Sequence, residues 1–196
     1  MAISAGRLAY LVGKPLLMPA IAARNVRAST EPSVPVLAAQ ALSWGGDIAL
    51  MGHGRKPFLT GVGLFWGAHV AYVAAFRERS TSPLLGTTGR RRFLASTSAL
   101  AAGMGLAAGR TDRALAAPVA AYGVTLGLMV ASAAAVDRDR GRPLILTGAG
   151  LFMLSDALIG VREFVAGKES RALEAAVLGT YAVAQACINE AFVRNY

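Results

Sequence analysis

Seven long apolar runs divide this chain of 196 residues and leave little from which to build a soluble fold. They are Ile3–Ala23, Val34–Met51, Phe58–Phe76, Phe93–Ala108, Ala114–Val136, Pro143–Glu163 and Ala172–Val193. A helix crosses the hydrocarbon core of a bilayer with about 20 mostly apolar residues, in a range of ~17–25. Most of the runs meet that length. Phe93–Ala108 is short and carries Ser96, Thr97 and Ser98. Pro32, Pro35, Pro57, Pro83, Gly109 and the Gly141-Arg142-Pro143 segment punctuate between the runs. Only 16% of the residues are charged, against about 25% in soluble proteins, and the mean hydropathy is +0.48. Backbone inside lipid must satisfy its own hydrogen bonds, so runs of this length specify helices. The expected fold is all-α: a polytopic transmembrane bundle of about seven helices, with residues 1–196 forming a single integral membrane domain.

A net charge of +9 would suit a nucleic-acid binder, but its distribution argues otherwise. The arginines lie in short loops between apolar runs, where they act as headgroup anchors and topology signals. The first, third and fifth loops and the C-terminus hold Arg24, Arg27, Arg77, Arg79, Arg90, Arg91, Arg92, Arg138, Arg140, Arg142 and Arg194. The other side holds Arg7, Arg55, Lys56, Arg110, Arg113, Arg162, Lys168 and Arg171. This bias places the N-terminus outside a cell membrane and the C-terminus in the cytoplasm. Arg90-Arg91-Arg92-Phe93-Leu94 imitates a twin-arginine export signal, but its mid-chain position fits a cytoplasmic cluster that stops a helix. The single cysteine, Cys187, lies in an apolar run and reads as a buried, inert thiol. Gly63 and Gly67, Gly105 and Gly109, and Gly123 and Gly127 are spaced for close helix contacts in lipid.

Two aspartates break the pattern. Asp47 lies near the end of the second run and Asp156 in the body of the sixth. An Asp at the centre of a membrane helix costs roughly 2.5–3.5 kcal/mol on insertion scales. Such groups face a bundle interior or water and mark functional sites. Gln40, Ser43 and Asp47 share one helical face, as do Tyr181, Gln185 and Asn189. Lys14 precedes Pro15, whose ring removes a backbone donor and favours a kink, and a lysine there wants a carboxylate. Trp66, His69, Tyr72 and Phe76 follow at helical spacing, and Ser155 adjoins Asp156. Arg162 and Glu163, at the end of the sixth run, read as an interfacial pair, and so does Glu190 as an interfacial group. The fourth and fifth spans carry no ionisable residue and read as scaffold. A pocket lined by Lys14, Asp47, His69, Asp156, Tyr181 and Gln185 is expected, supported by Ser43, Tyr72 and Ser155.

These pieces, in this order, resemble the YhhN-type lysoplasmalogenase family of integral membrane proteins. The matching segments are Lys14-Pro15-Leu16-Leu17-Met18, Leu42-Ser43-Trp44-Gly45-Gly46-Asp47-Ile48-Ala49-Leu50 and Gly67-Ala68-His69-Val70-Ala71-Tyr72. Gly150-Leu151-Phe152-Met153-Leu154-Ser155-Asp156 and Tyr181-Ala182-Val183-Ala184-Gln185 follow. No one motif is specific, but their order and spacing cover essentially the whole chain. The resemblance implies a bundle of about eight helices. Only a dozen residues precede Lys14-Pro15, so the resemblance further implies that the usual first helix is missing or that the start codon is late.

The resemblance also implies hydrolysis of the vinyl ether bond of a lysoplasmalogen, or of a related lysolipid. The products are a fatty aldehyde and a glycerophospho-ethanolamine or -choline. It casts Asp47 and Asp156 as the catalytic pair. The chemistry suits two carboxyls: a general acid protonates a vinyl carbon, and an ionised carboxylate steadies the resulting oxocarbenium ion and activates water. Two carboxyls sharing one buried site titrate as a coupled pair. Asp156, read as the deeper, is assigned as the acid and Asp47 as the base. Lys14 then holds a carboxylate ionised or binds the lipid phosphate, and His69 or Tyr181 positions water. The reaction calls for no cofactor and no metal. The expected partners are the lysophospholipid and membrane lipids, with no nucleic acid. Intramembrane Asp, Lys and His would also serve a proton-coupled transporter, and the same polar faces would serve a non-catalytic lipid-binding protein.

Overall fold

The computed structural model describes residues 5–162 and 171–194. It is all-helical in these segments, with α1 over Ala5–Ala28, α2 over Val34–Leu50, α3 over Arg55–Glu78 and α4 over Thr88–Thr111. A 3-10 turn, Arg113–Leu115, leads into α5 over Ala116–Ala133, followed by α6 over Arg142–Val161 and α7 over Arg171–Val193. Each of the seven expected spans thus becomes a helix. Glu163 and Lys168 lie outside the described residues.

Four helices are long and apolar enough to cross a membrane: Arg55–Glu78, Arg113–Ala133 with its leading turn, Arg142–Val161 and Ala172–Val193. Val34–Leu50 is a shorter apolar helix. Large apolar side chains such as Leu16, Trp44, Leu100, Leu106, Leu154 and Val183 sit on the outer surface. That arrangement fits a lipid solvent, and the chain is a multi-pass membrane protein. α1 and α4 fall short of the same criterion, because Lys14, Arg24, Arg27 and the arginines at both ends of α4 dilute their hydropathy. The run Phe93–Ala108 nevertheless sits within a full-length helix. Thr87 caps α4 by accepting a hydrogen bond from the Arg90 amide, and Asp112 ends it by accepting the Ala114 amide instead.

Three antiparallel hairpins, α2/α3, α4/α5 and α6/α7, form the bundle. α1 lies against α2 and α7, α3 against α5, and α5 against α6. The helices α1, α2, α3, α5, α6 and α7 therefore close a ring, and α4 flanks it through α5. The α4/α5 contact rests on small residues, as the glycine spacing predicts. A Cβ at Gly105 would lie 2.6 Å from the Ala116 carbonyl oxygen, and one at Gly123 would lie 2.6 Å from the Ala101 Cβ. Gly63 departs from that expectation, since it faces open space. Its partner Gly67 makes the α2 contact alone, against Leu42.

The interior of the ring is aromatic. Phe152 meets Phe65, His69, Tyr72 and Tyr181 edge to face, with ring centroids 4.8–6.2 Å apart. Trp66 leaves the expected His69–Tyr72–Phe76 face. It is exposed and donates its indole N–H to Thr125 Oγ1 at 2.8 Å. Cys187 is half-buried rather than fully enclosed.

At the arginine-rich end the side chains do more than meet headgroups. Arg79 donates to the carbonyls of Ala191 and Arg140 at 2.9 and 3.3 Å, and its guanidinium stacks 3.9 Å from the Phe192 ring centre. Arg90 donates to the carbonyls of Ala134 and Pro83. These contacts tie the loop after α3 to the ends of α5 and α7. Glu190, read as interfacial, pairs there with Arg24 at 2.5 Å and Arg194 at 2.8 Å.

Candidate active site

Helix α2 carries its polar stripe against α7, and the two stripes meet rung by rung. Asp47 accepts the Tyr181 hydroxyl through Oδ2 at 2.8 Å. One turn away, Gln185 Nε2 donates to Ser43 Oγ at 3.2 Å. A further turn on, Gln40 Nε2 donates to Asn189 Oδ1 at 3.0 Å. The antiparallel order of the pairs follows from the helical spacing of both stripes. Tyr72 of α3 donates its hydroxyl to Gln185 Oε1, so α3 joins the middle rung. Asn25 of α1 donates to Asn189 Oδ1 at 2.9 Å and joins the last. Buried polar groups need partners, and the ladder supplies most of them, leaving Gln40 Oε1 without one among the described residues.

The first rung carries the ionisable residues. Lys14 Nζ of α1 lies 3.7 Å from Asp47 Oδ1, with its side chain only 13% exposed. The lysine at the proline step therefore finds a carboxylate rather than the surface. The Trp44 indole N–H, one turn from Asp47, donates to the Pro15 carbonyl at 2.8 Å and pins α1 against α2.

Asp156 occupies the matching place on α6. Its Oδ2 accepts the Tyr122 hydroxyl of α5 at 2.6 Å. His69 Nε2 of α3 lies 3.3 Å from the same oxygen, outside hydrogen-bond geometry. The imidazole is fully buried between the rings of Tyr122 and Phe152. Its two nitrogens have no hydrogen-bond partner among the described residues.

A cavity of about 40 Å³ brings the two carboxyls together: Asp47, Asp156, Lys14, Tyr181, Arg162 and Glu174 all line it. Both aspartates thus come to one pocket, near the C-terminal ends of α2 and α6 and the N-terminal half of α7. Among the described residues, no group of three or more His, Cys, Asp and Glu is arranged to hold a metal ion.

Several expectations change. Asp47 is the more enclosed carboxyl, with its side chain 3% exposed against 8% for Asp156. The second run ends close after Asp47, but Lys14 and Tyr181 cover it. Ser155 lines the pocket, yet its hydroxyl is turned to the Val177 carbonyl at 3.0 Å, which ties α6 to α7. Ser43, Tyr72 and Gln185 stand one rung behind the carboxyls and brace Tyr181's helix. The fifth span is not mere scaffold, because Tyr122 binds Asp156 directly. Its signal in the sequence was slight: one phenol in a run of small apolar residues. Arg162 also lines the pocket, and its expected partner Glu163 lies outside the described residues. Glu174 had no signal beyond its place in the first turn of α7.

A family model described as the YhhN family matches residues 9–192. No curated protein and no solved structure matches the chain.

Proposed function

The chain belongs to the YhhN family, the lysoplasmalogenase family, and we propose that it hydrolyses the vinyl ether of a lysoplasmalogen or a closely related lysolipid. The observation that carries this reading is the shared cavity: two aspartates from the apolar runs of different helices line one small pocket, with Glu174 as a third carboxyl. Intramembrane carboxyls are costly, and two at one pocket suit acid–base chemistry better than helix adhesion.

The two environments suggest a division of labour. Asp47 has a cationic partner in Lys14, and Asp156 has a phenol and an imidazole. Asp47 is suited to act as the ionised carboxylate and Asp156 as the protonated acid. Tyr122 and His69 both approach Oδ2 of Asp156, so Oδ1 is the oxygen assigned to carry the catalytic proton.

In the proposed reaction, Asp156 gives its proton to the vinyl carbon remote from oxygen. The π electrons form the new C–H bond, and an ether-oxygen lone pair completes an oxocarbenium ion. Water adds to the oxygen-bearing carbon and yields a proton to Asp47. The resulting hemiacetal collapses: its hydroxyl proton returns to Asp156, the C–O bond to glycerol breaks, and Asp47 protonates the departing oxygen. Aldehyde and alcohol leave, one water is consumed, and both carboxyls regain their starting states. His69 lines neither cavity, and its assigned role is to orient the Asp156 carboxyl, whose Oδ2 lies 3.3 Å from its Nε2. Lys14 and Arg162 provide positive charge for a lipid phosphate, and Glu174 provides a negative charge for the ammonium group of ethanolamine or choline.

Purified protein in nanodiscs is expected to release fatty aldehyde from a 1-alkenyl lysophospholipid. Folded Asp47→Asn and Asp156→Asn variants are expected to lose that release. Full turnover in both variants would overturn the assignment.

A further inference from the structure

A second cavity, of about 320 Å³, lies between α3, α4, α5 and α6. This is within the span of roughly 300–1,000 Å³ typical of small-molecule sites. Its walls are apolar: Val62 from α3, Leu100 and Met104 from α4, Val119 and Leu126 from α5, and Met153 from α6. Asp156 is the only charged residue among those that line it. The two wall hydroxyls are already engaged. Thr97 donates back to its own helix, at the carbonyls of Phe93 and Leu94, and Tyr122 donates to Asp156. Nothing in this wall recognises a headgroup, a phosphate or a sugar, and a hydrocarbon chain is the ligand whose chemistry it matches.

The apolar cavity and the polar pocket adjoin. Leu50, Phe65, Asp156 and Ile159 line both. A ligand that fills the two is therefore polar at one end and hydrocarbon at the other, and its junction lies at Asp156. The apolar cavity also reaches the outer surface. Its lining residues Leu100 and Val161 are exposed there, on α4 and α6 respectively. α4 is held mainly by α5 and comes near α6 at Met104, whose Cε would lie 2.8 Å from a Cβ at Gly160. The open side therefore faces lipid.

We propose that this cavity is the binding site for the single hydrocarbon chain of the substrate, with the chain lying along α4 and α5 and the vinyl ether held beside Asp156. The proposal rests on the hydrolase reading above and adds the part of the substrate that reading leaves unplaced. It also gives a physical basis for a single-chain lipid. The apolar chamber adjoins the polar pocket at Asp156, and a second chain directed into that pocket would meet its charged walls.

The test narrows the chamber without touching the carboxyls. Val119→Phe fills it from α5 and Leu100→Trp from α4, so a folding defect in one variant leaves the other. Both are assayed in nanodiscs with vinyl ether lysolipids of long and short chain. Binding of a saturated 1-alkyl lysolipid, which has no bond to cleave, is measured in parallel. KM for the long chain is expected to rise about tenfold while kcat for the short chain holds within about twofold, and the saturated lysolipid should weaken by a similar factor. A long-chain KM unchanged from the parent in both folded variants, with unchanged binding of the saturated lysolipid, would overturn the chain site even if turnover is robust. Absent turnover in the parent protein, together with weakened lysolipid binding in the variants, would overturn the hydrolase reading and leave the chain site standing.

Discussion

The two carboxyl sites are built alike and differ in one partner. Each aspartate accepts a tyrosine hydroxyl at Oδ2, from Tyr181 for Asp47 and Tyr122 for Asp156, at 2.8 and 2.6 Å. Each also has one nitrogen base near it, and here they diverge. Asp47 faces the ammonium of Lys14 and Asp156 the imidazole of His69. An ammonium brings a positive charge to its carboxylate, whereas an imidazole brings one only when it is protonated. The same scaffold, a phenol and a base around a carboxyl, is thereby suited to two chemical roles. The difference also follows the surroundings: Asp47 lines only the polar pocket, and Asp156 lines both the polar pocket and the apolar chamber.

The largest expected effect separates the two roles. Asp156→Asn removes the proton assigned to start the proposed reaction and is expected to lower kcat by about ten-thousandfold, and Asp47→Asn by about a hundredfold. Aldehyde release under saturating lysolipid measures both, and the reverse order would exchange the acid and the base. The basic partners come next. Lys14→Gln is expected to lower kcat/KM by about thirtyfold, mainly through KM if the ammonium also meets the phosphate, and His69→Gln to act mainly on kcat. Identical kcat and KM profiles for the two variants would erase the distinction between the sites. A smaller change, about tenfold in kcat, is expected for Tyr122→Phe, because it removes one hydrogen bond to the acid and leaves the ring in place. The smallest effect lies outside the pocket. Asn189→Leu breaks the last rung and strips partners from Gln40 and Asn25, so it should lower stability by about 1 kcal/mol in thermal unfolding. Turnover should stay within about twofold. A large loss of turnover in a folded Asn189→Leu protein would show that the ladder, not the first rung alone, sets the chemistry.

The polar stripes show why part of the site was legible beforehand. Gln40, Ser43 and Asp47 fall on one face of a helix by spacing alone, and so do Tyr181, Gln185 and Asn189. An apolar run that tolerates such a stripe must turn it inward, so both stripes announce a buried contact. Lys14 was legible for the same reason, since a cation beside a proline in lipid requires an anion. Tyr122 was not, because a single phenol in a small-residue helix has no periodicity to mark it. Arg162 and Glu174 were obscured by their position at helix ends, where charges usually meet solvent or headgroups. Only the approach of α6 to α7 turns those ends toward the pocket.

The amino-acid sequence by itself determined the helices, their apolar outer faces and the polar stripes of α2 and α7. These depend on composition and on the 3.6-residue period, both local properties. Tertiary structure decided which faces meet, because side chains on separate helices acquire a common pocket only when the ring closes. It placed Asp47 and Asp156 at one cavity, made Asp47 the more enclosed, and set Tyr122 on Asp156. It also opened an apolar chamber beside α4, a feature of the gap between helices and of no single one.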